Sequence, residues 1–209
     1  MAGPTEIPPR WELSLDRTTA RKGREDRGYV HRLLMSMLPD GVFDSSRPRA
    51  DARLLWAWTG PATLIVASDI PPAQARGVEM KPTAAVEPFT AGQELALTVL
   101  LETTFTKAAW VPEEIWNLPD RPAIRNKRIP VPDDRLEVWI REKLERNGLA
   151  AKNVSVLATS REKVKKHTIP TAAVAATVTV VDPEKANAAL VGGLGRSKNF
   201  GCGMLLPLY

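Results

Sequence analysis

The chain has 209 residues, of which 44% are hydrophobic, enough for the core of one large domain or two small ones. Lys and Arg outnumber Asp and Glu by 29 to 24, and the resulting net charge of +5 is compatible with an anionic partner. The only cysteine, Cys202, excludes a disulfide framework and a cysteine cluster that could hold zinc. No apolar run approaches the roughly 18 residues of a membrane span, and the N-terminal MAGPTEIPPR lacks a signal-peptide core. We therefore expect a soluble, cytoplasmic protein.

The first half of the chain predicts the element order of a ferredoxin-like domain. Residues 11–15 (WELSL) alternate apolar and polar side chains as a half-buried strand does. After a basic stretch at residues 17–27, a helix is predicted from Gly28 or Tyr29 to about Leu38, because apolar residues recur there at helical spacing. The later predicted elements are two strands of a hairpin, a short helix and a fourth strand: residues 53–58, 63–68, 71–76 and 78–86.

The second half predicts the same order again. A strand at residues 94–103 is followed by a helix at 134–146, with Asp133 as its N-cap and Asn147-Gly148 at its end. A hairpin, a helix and a last strand follow, at residues 154–159 with 171–181, 183–191 and 204–208. We therefore predict an α+β fold with two tandem ferredoxin-like (RRM-like) domains, at residues 1–90 and 91–209. The duplication rests on element order, since no residue-level repeat is detected.

Three stretches could carry chemistry. His31, at the border of the apolar stripe of the first helix, could exchange a proton near neutral pH, or could be an ordinary boundary histidine with one hydrogen bond. The turn at residues 160–170 (SREKVKKHTIP) could contact phosphates, or could be a solvated tip kept charged against aggregation. The glycine-rich stretch at residues 193–203 could bring its backbone close to a phosphate, or could be a flexible turn before a strand.

The C-terminal stretch also carries a family resemblance. GGLGRSKNFGCGMLLPL resembles the glycine-rich loop of CRISPR repeat-processing endoribonucleases of the CasE type, from the type I-E Cascade system. The matching positions are a glycine pair, a lysine and a Gly-x-Gly before an apolar strand: Gly193, Gly195, Lys198, Gly201 and Gly203. The opening strand, a helix that starts with Tyr and His, and RNKRIPV before a helix built on Trp139 extend the likeness along the chain.

This resemblance implies two ferredoxin-like domains and cleavage of precursor CRISPR RNA at the base of each repeat stem-loop. It implies no metal and no small-molecule cofactor: a ribose 2′-hydroxyl attacks the adjacent phosphate and leaves a 2′,3′-cyclic phosphate and a 5′-hydroxyl. It also implies that the protein keeps the mature crRNA and joins other Cascade subunits. His31 and Tyr29 take the catalytic positions. The RNA-contacting positions are basic or glycine residues: Arg27, Arg32, Arg125, Lys127, Arg128, Arg161, Lys163, Lys165, Lys166, Gly193, Gly195, Arg196, Lys198 and Gly201.

The tyrosine departs from the family pattern. The resemblance implies a tyrosine three residues before the histidine, but Gly28 stands there and Tyr29 is only two residues before His31. If both are helical, their side chains point about 160° apart, and Lys22, Arg24 or Arg27 could supply the positive charge instead. A non-catalytic subunit that holds the crRNA stem-loop is therefore the alternative to a nuclease. A housekeeping RNA-binding protein is a third interpretation, against which the glycine-rich tail argues.

Overall fold

Two four-stranded antiparallel sheets organise the chain in the computed structural model, which describes residues 6–39, 48–105 and 128–208. The strands of the first sheet are β1 (Arg10–Leu15), β2 (Leu55–Trp58), β3 (Thr63–Ala67) and β4 (Val78–Pro82), in the order β2-β3-β1-β4. The helices described with it are α1 (Arg17–Glu25), α2 (Arg27–Ser36) and α3 (Pro48–Asp51). Its core lies between the sheet and these helices, with Leu13, Val30, Leu34 and Trp56 at its centre.

The second sheet repeats this arrangement with longer strands. In chain order it contains β5 (Glu94–Glu102), β8 (Leu149–Val164), β9 (His167–Val180) and β10 (Leu206–Leu208), and they lie in the order β10-β5-β9-β8. The remaining elements are a two-strand ribbon, two helices and two short 3-10 turns: β6 (Thr104–Phe105) with β7 (Ile129–Pro130), α4 (Leu136–Glu145), α5 (Pro183–Gly192), Asp133–Arg135 and Lys198–Phe200. In both sheets the first strand lies between the third and the fourth, which confirms the predicted pair of ferredoxin-like folds.

The two sheets meet through a small apolar cluster. Leu55, Ala57 and Ala67 of the first sheet pack with Met204, which precedes β10. The predicted domain boundary at residue 90 stays a prediction, and it falls between Pro82, the end of β4, and Glu94, the start of β5.

The structure corrects several predicted elements. The basic stretch before α2 is itself a helix, α1, whose N-cap Asp16 accepts a hydrogen bond from Thr19 N at 2.7 Å. Its buried side is made of small residues, and a Cβ on Gly23 would lie 2.7 Å from Val30 Cγ2, so α1 and α2 pack closely. The predicted helix at 71–76 is wrong, because these residues run without helical hydrogen bonds and Ala73 N donates to Met37 O at 2.6 Å.

Two further corrections concern the second half. Asp133 does not cap α4 with its side chain, because a 3-10 turn intervenes and α4 begins at Leu136. The predicted loop at 160–170 is mostly strand: β8 and β9 continue to Val164 and His167, and the turn consists of two residues, Lys165 and Lys166. This long hairpin carries its basic tip across to the first half of the chain.

None of the helices within the described ranges is long and apolar enough to cross a membrane.

Candidate active site

His31 lies on α2, half-buried, beside the glycine-rich stretch. Its ring meets Phe200 edge-on, with ring centroids 6.1 Å apart and planes at 80°. Its Nδ1 atom is buried and has no hydrogen-bond partner among the residues that the structure describes. Burial, followed by the charges of Arg49, Lys165 and Arg32, lowers the pKa of His31 below its ordinary value of 6.5. The imidazole is therefore mainly neutral near pH 7 and can accept a proton.

Asp26 holds the tip of the β8–β9 hairpin against the start of α2. Its Oδ1 accepts hydrogen bonds from Gly28 N at 2.8 Å, as the N-cap of the helix, and from Lys165 N at 2.9 Å. Burial alone would raise the pKa of Asp26, but these two bonds and the Arg32 guanidinium together lower it. Lys165 adopts the left-handed conformation (φ 55°) that the two-residue turn requires. The carboxylate thus fixes Lys165 close to His31.

Gly28 lies in a crowded position. A Cβ here would lie 2.9 Å from Asp26 Oδ1, 3.1 Å from Lys165 Cγ and 3.3 Å from Arg32 Nη1, so a larger side chain would disturb the contact between Asp26 and Lys165. Tyr29 lies inside α2, with its ring 5.8 Å from Lys22 Nζ of α1, on a different side of the helix from Phe200. The geometry does not support the predicted catalytic position of Tyr29 beside His31.

Arg27 was predicted to contact RNA, but its guanidinium is occupied inside the protein. The side chain is 7% exposed; Nε donates to Glu162 Oε2 at 2.9 Å and Nη1 donates to Phe200 O at 3.0 Å. The group also lies 5.8 Å from the Trp56 ring. Arg27 therefore ties α2 to the hairpin and to the glycine-rich stretch, which is a structural role.

Two of the predicted RNA-contacting glycines pack against the first sheet instead. A Cβ on Gly193 (φ +73°) would lie 3.0 Å from Leu55 Cδ2, and one on Gly201 (φ +74°) 2.7 Å from Trp56 Cζ3. Trp56 Nε1 also donates to Asn199 O at 3.2 Å. These contacts seat the stretch on β2 and bring Phe200 to His31. Gly195 is exposed.

The remaining predicted cations surround this site. Burial, then Arg49, lowers the pKa of Lys198. Arg128 lies 3.5 Å from the buried carboxylate of Glu102, which also accepts hydrogen bonds from Thr104 and Ser197. Arg32 is exposed and lies 3.4 Å from Asp26. The other exposed cations of the hairpin and loop are Arg161, Lys163, Lys165, Lys166 and Arg196, whereas Arg125 and Lys127 lie outside the described residues.

A cleft of about 390 Å³ opens beside the hairpin tip. Its lining includes residues of the hairpin, of β5 and of the glycine-rich stretch: Arg128, Arg161, Lys165, Glu102, Ser197 and Phe200. A cleft of this volume can take a nucleotide-sized group. Within the described ranges, no three His, Cys, Asp or Glu side chains lie close enough together to hold a metal ion.

Sequence reasoning missed Asp26, Arg49 and Phe200. Asp26 has a readable signal, since an Asp directly before a helical stripe is a typical N-cap. Arg49 and Phe200 have none, because they reach His31 only through the fold.

Comparison with known proteins places this site in a family. The model of a protein family described as CRISPR associated protein matches residues 9–207. The chain belongs to this family. The match confirms the family resemblance seen in the sequence. No curated protein matches the chain.

Solved structures of CRISPR proteins have the same fold. The chain is similar to CRISPR endoribonuclease Cse3 bound to a 19-nucleotide RNA (21% identity, TM-score 0.75, 96% of this chain and 99% of that chain). It is similar to Thermus thermophilus Cse3 bound to an RNA representing a pre-cleavage complex (21%, TM-score 0.73, 98% and 100%). A chain of a CRISPR RNA-guided surveillance complex also matches (19%, TM-score 0.61, 95% and 98%). At these identities the likeness establishes the fold, and the α+β prediction is confirmed.

Proposed function

We propose that this member of the family is an endoribonuclease that cuts precursor CRISPR RNA at the base of the repeat stem-loop. It would stay on the mature crRNA within a Cascade-like complex. The observation that carries this proposal is His31, a neutral imidazole among the cations Lys165, Arg49 and Arg32. The RNA-bound Cse3 structures and the surveillance complex with the same fold support it.

The groups at this site fit attack by a ribose 2′-hydroxyl on the adjacent phosphate. His31 takes the 2′-hydroxyl proton while the 2′ oxygen–phosphorus bond forms and the phosphorus–5′ oxygen bond breaks. Lys165, which Asp26 holds in place, offsets the charge that grows on the phosphate oxygens. The 5′ oxygen needs a proton, for which protonated His31 and the Lys165 ammonium are the two candidates. The products are a 2′,3′-cyclic phosphate and a 5′-hydroxyl, and no step requires a metal ion.

The hairpin and the cleft suggest how the RNA lies. The exposed cations Arg161 and Lys163 lie on β8, and Lys166 lies in the turn, where they can contact phosphates of the stem. Because the major groove of an A-form stem is narrow, we expect recognition of stem shape and of the closing base pair more than of a long base sequence. The cleft beside Phe200 would hold the nucleotide next to the cut.

The experiment uses a labelled stem-loop from the host's CRISPR repeat, incubated in EDTA with the wild type and with His31→Ala. The matched control is Lys152→Ala, an exposed residue whose ammonium pairs with Glu94 on β5. We expect one cut with a cyclic-phosphate end by the wild type and the control, and none by His31→Ala. A wild type that cuts only after Mg²⁺ is added would contradict the metal-independent mechanism.

The alternative is a non-catalytic subunit that holds the crRNA stem-loop, and the separation of Tyr29 from His31 favours it. Tight binding of the stem-loop by the wild type, without cleavage in either EDTA or Mg²⁺, would establish this alternative.

A further inference from the structure

Four cations meet where the last turn of α4 approaches the glycine-rich stretch. Lys143 comes from α4, Arg146 is the C-cap that directly follows it, and Arg196 and Lys198 come from the stretch that follows α5. Cations in the last turn of a helix are ordinary, because they stabilise its C-terminal dipole. Arg196 and Lys198 belong to another segment and have no such reason to be there. The folded chain therefore gathers more positive charge here than the helix end explains.

Lys143 is held in one place by its neighbours. Its Nζ lies 4.4 Å from the centroid of the Trp139 ring, a cation–π distance. On another side, a Cβ on Gly195 (φ +72°) would lie 2.9 Å from Lys143 Cε and 3.2 Å from Nζ. Only glycine lets the turn come this close to the ammonium. The charge is thus positioned between a ring and a backbone turn, unlike that of a mobile surface lysine.

The cluster holds more positive than negative charge. Burial, then Arg146, Arg196 and Lys198, disfavours the charged form of Lys143 and lowers its pKa. Of the carboxylates nearby, Glu142 pairs with Arg146 at 3.5 Å, and Glu102 acts on Lys143 from a buried position. Glu102 is 1% exposed and already accepts hydrogen bonds from Thr104 and Ser197. A bound anion would relieve this repulsion, and its binding would be stronger for the same reason.

The cluster also continues from the catalytic site. Arg49 lies near enough to shift the pKa of both His31 and Lys198, and Lys198 does the same to Lys143. Arg49 and Lys198 therefore link the surroundings of His31 to those of Lys143. A polyanionic strand with one phosphate at His31 would bring other phosphates close to these cations.

We infer that Lys143, with Arg146, Arg196 and Lys198, forms a second phosphodiester-binding site, which takes the unpaired RNA strand that flanks the stem. This inference rests on the proposed function. Trp139 is 4% exposed and is covered by Lys143, so no aromatic face is offered to a base. Recognition at this site is by charge and is independent of sequence.

The test measures the dissociation constant of three RNAs over a range of salt concentrations, each with a 2′-deoxy residue at the cut to prevent cleavage. One RNA is the stem-loop with a single unpaired nucleotide at each end, one has a long 5′ flank and one a long 3′ flank. The variants are Lys143→Gln and Arg196→Gln. The control is Lys152→Gln, whose ammonium pairs with Glu94 outside the cluster. Thermal unfolding confirms that each variant is folded.

We expect Lys143→Gln to weaken binding of one of the two flanked RNAs by about fivefold at about 0.1 M salt. The slope of the logarithm of the binding constant against the logarithm of salt concentration should become shallower by about 0.7, because one single-strand phosphate contact is lost. Binding of the short stem-loop should not change, and the affected RNA identifies the flank. Equal weakening for all three RNAs, or no change for any, overturns the inference. If the wild type fails to bind even the short stem-loop, the proposed function itself fails.

Discussion

Asp26→Ala tests whether the docked hairpin tip is needed for the reaction. The substitution removes the N-cap of α2, worth about 1 kcal/mol, and the hydrogen bond from Lys165 N to a carboxylate, worth about 1.5 kcal/mol at a partly exposed site. The ion pair with Arg32 adds little, since the Arg32 side chain is 54% exposed. We expect a loss of about 2.5 kcal/mol in the free energy of unfolding. For a chain of this size that is a fall in Tm of about 5–10 °C.

The same change should slow cleavage. Releasing a contact of about 1.5 kcal/mol lowers the equilibrium constant for docking about tenfold, so the single-turnover rate at saturating RNA should fall by up to about tenfold. Because the folded protein lowers the pKa of Asp26, the stabilisation is present above the ordinary value of 3.8 and is lost as the pH falls below it. Wild type and variant should therefore converge in stability in acid.

Asp16→Ala is the matched control. Asp16 caps α1 through Thr19 N in the way that Asp26 caps α2, but its carboxylate makes no hydrogen bond to the hairpin. We expect it to lower Tm by less than Asp26→Ala and to leave the cleavage rate unchanged. The reasoning is refuted if both variants slow cleavage equally, or if Asp26→Ala cleaves at the wild-type rate.

Three further outcomes are expected. Tyr29→Phe should cleave at the wild-type rate in single-turnover assays, because the Tyr29 ring packs beside Lys22 of α1. A fall of more than about tenfold in the cleavage rate would contradict this. The acid limb of kcat/KM should lie below pH 6.5, since the pKa of His31 is lowered, and a limb above 6.5 would be inconsistent with a neutral base. In urea denaturation, Gly201→Ala should lower the free energy of unfolding by about 2–5 kcal/mol, because of left-handed strain and the clash with Trp56. The control Gly92→Ala, at a position with nearly the same φ and open space around it, should lower it by about 1 kcal/mol. Equal losses for the two variants would argue against the clash.

The fold could be predicted where the sequence carries a period or a cap. The alternation in β1 and the apolar stripe of α2 have the predicted form. Helix α5 begins at residue 183 as predicted, and the structure adds that the Asp182 carboxylate before it accepts from Lys185 N at 3.1 Å. The first helix could not be predicted in this way, because α1 buries Thr19, Ala20 and Gly23 and shows no apolar stripe.

The site was predictable only in part. His31 and the glycine-rich stretch carry a local signal, and the structure brings them together through Phe200. The position of Lys165 near the imidazole depends on how a long hairpin crosses to α2, and that of Arg49 depends on where α3 lies; no local pattern encodes either. The structural role of Arg27 could not be predicted either, because the sequence does not show whether an arginine is buried and paired or exposed.

His31 comes from the first half of the chain, whereas Lys165 and Phe200 come from the second. On the proposed mechanism, neither half holds a complete set of reacting groups, so cleavage requires the two halves to be docked. Substitutions at Trp56 or Gly201, where the glycine-rich stretch packs on β2, are therefore expected to lower activity as well as stability. A swap of one half between relatives would succeed only if this seam is carried over with it.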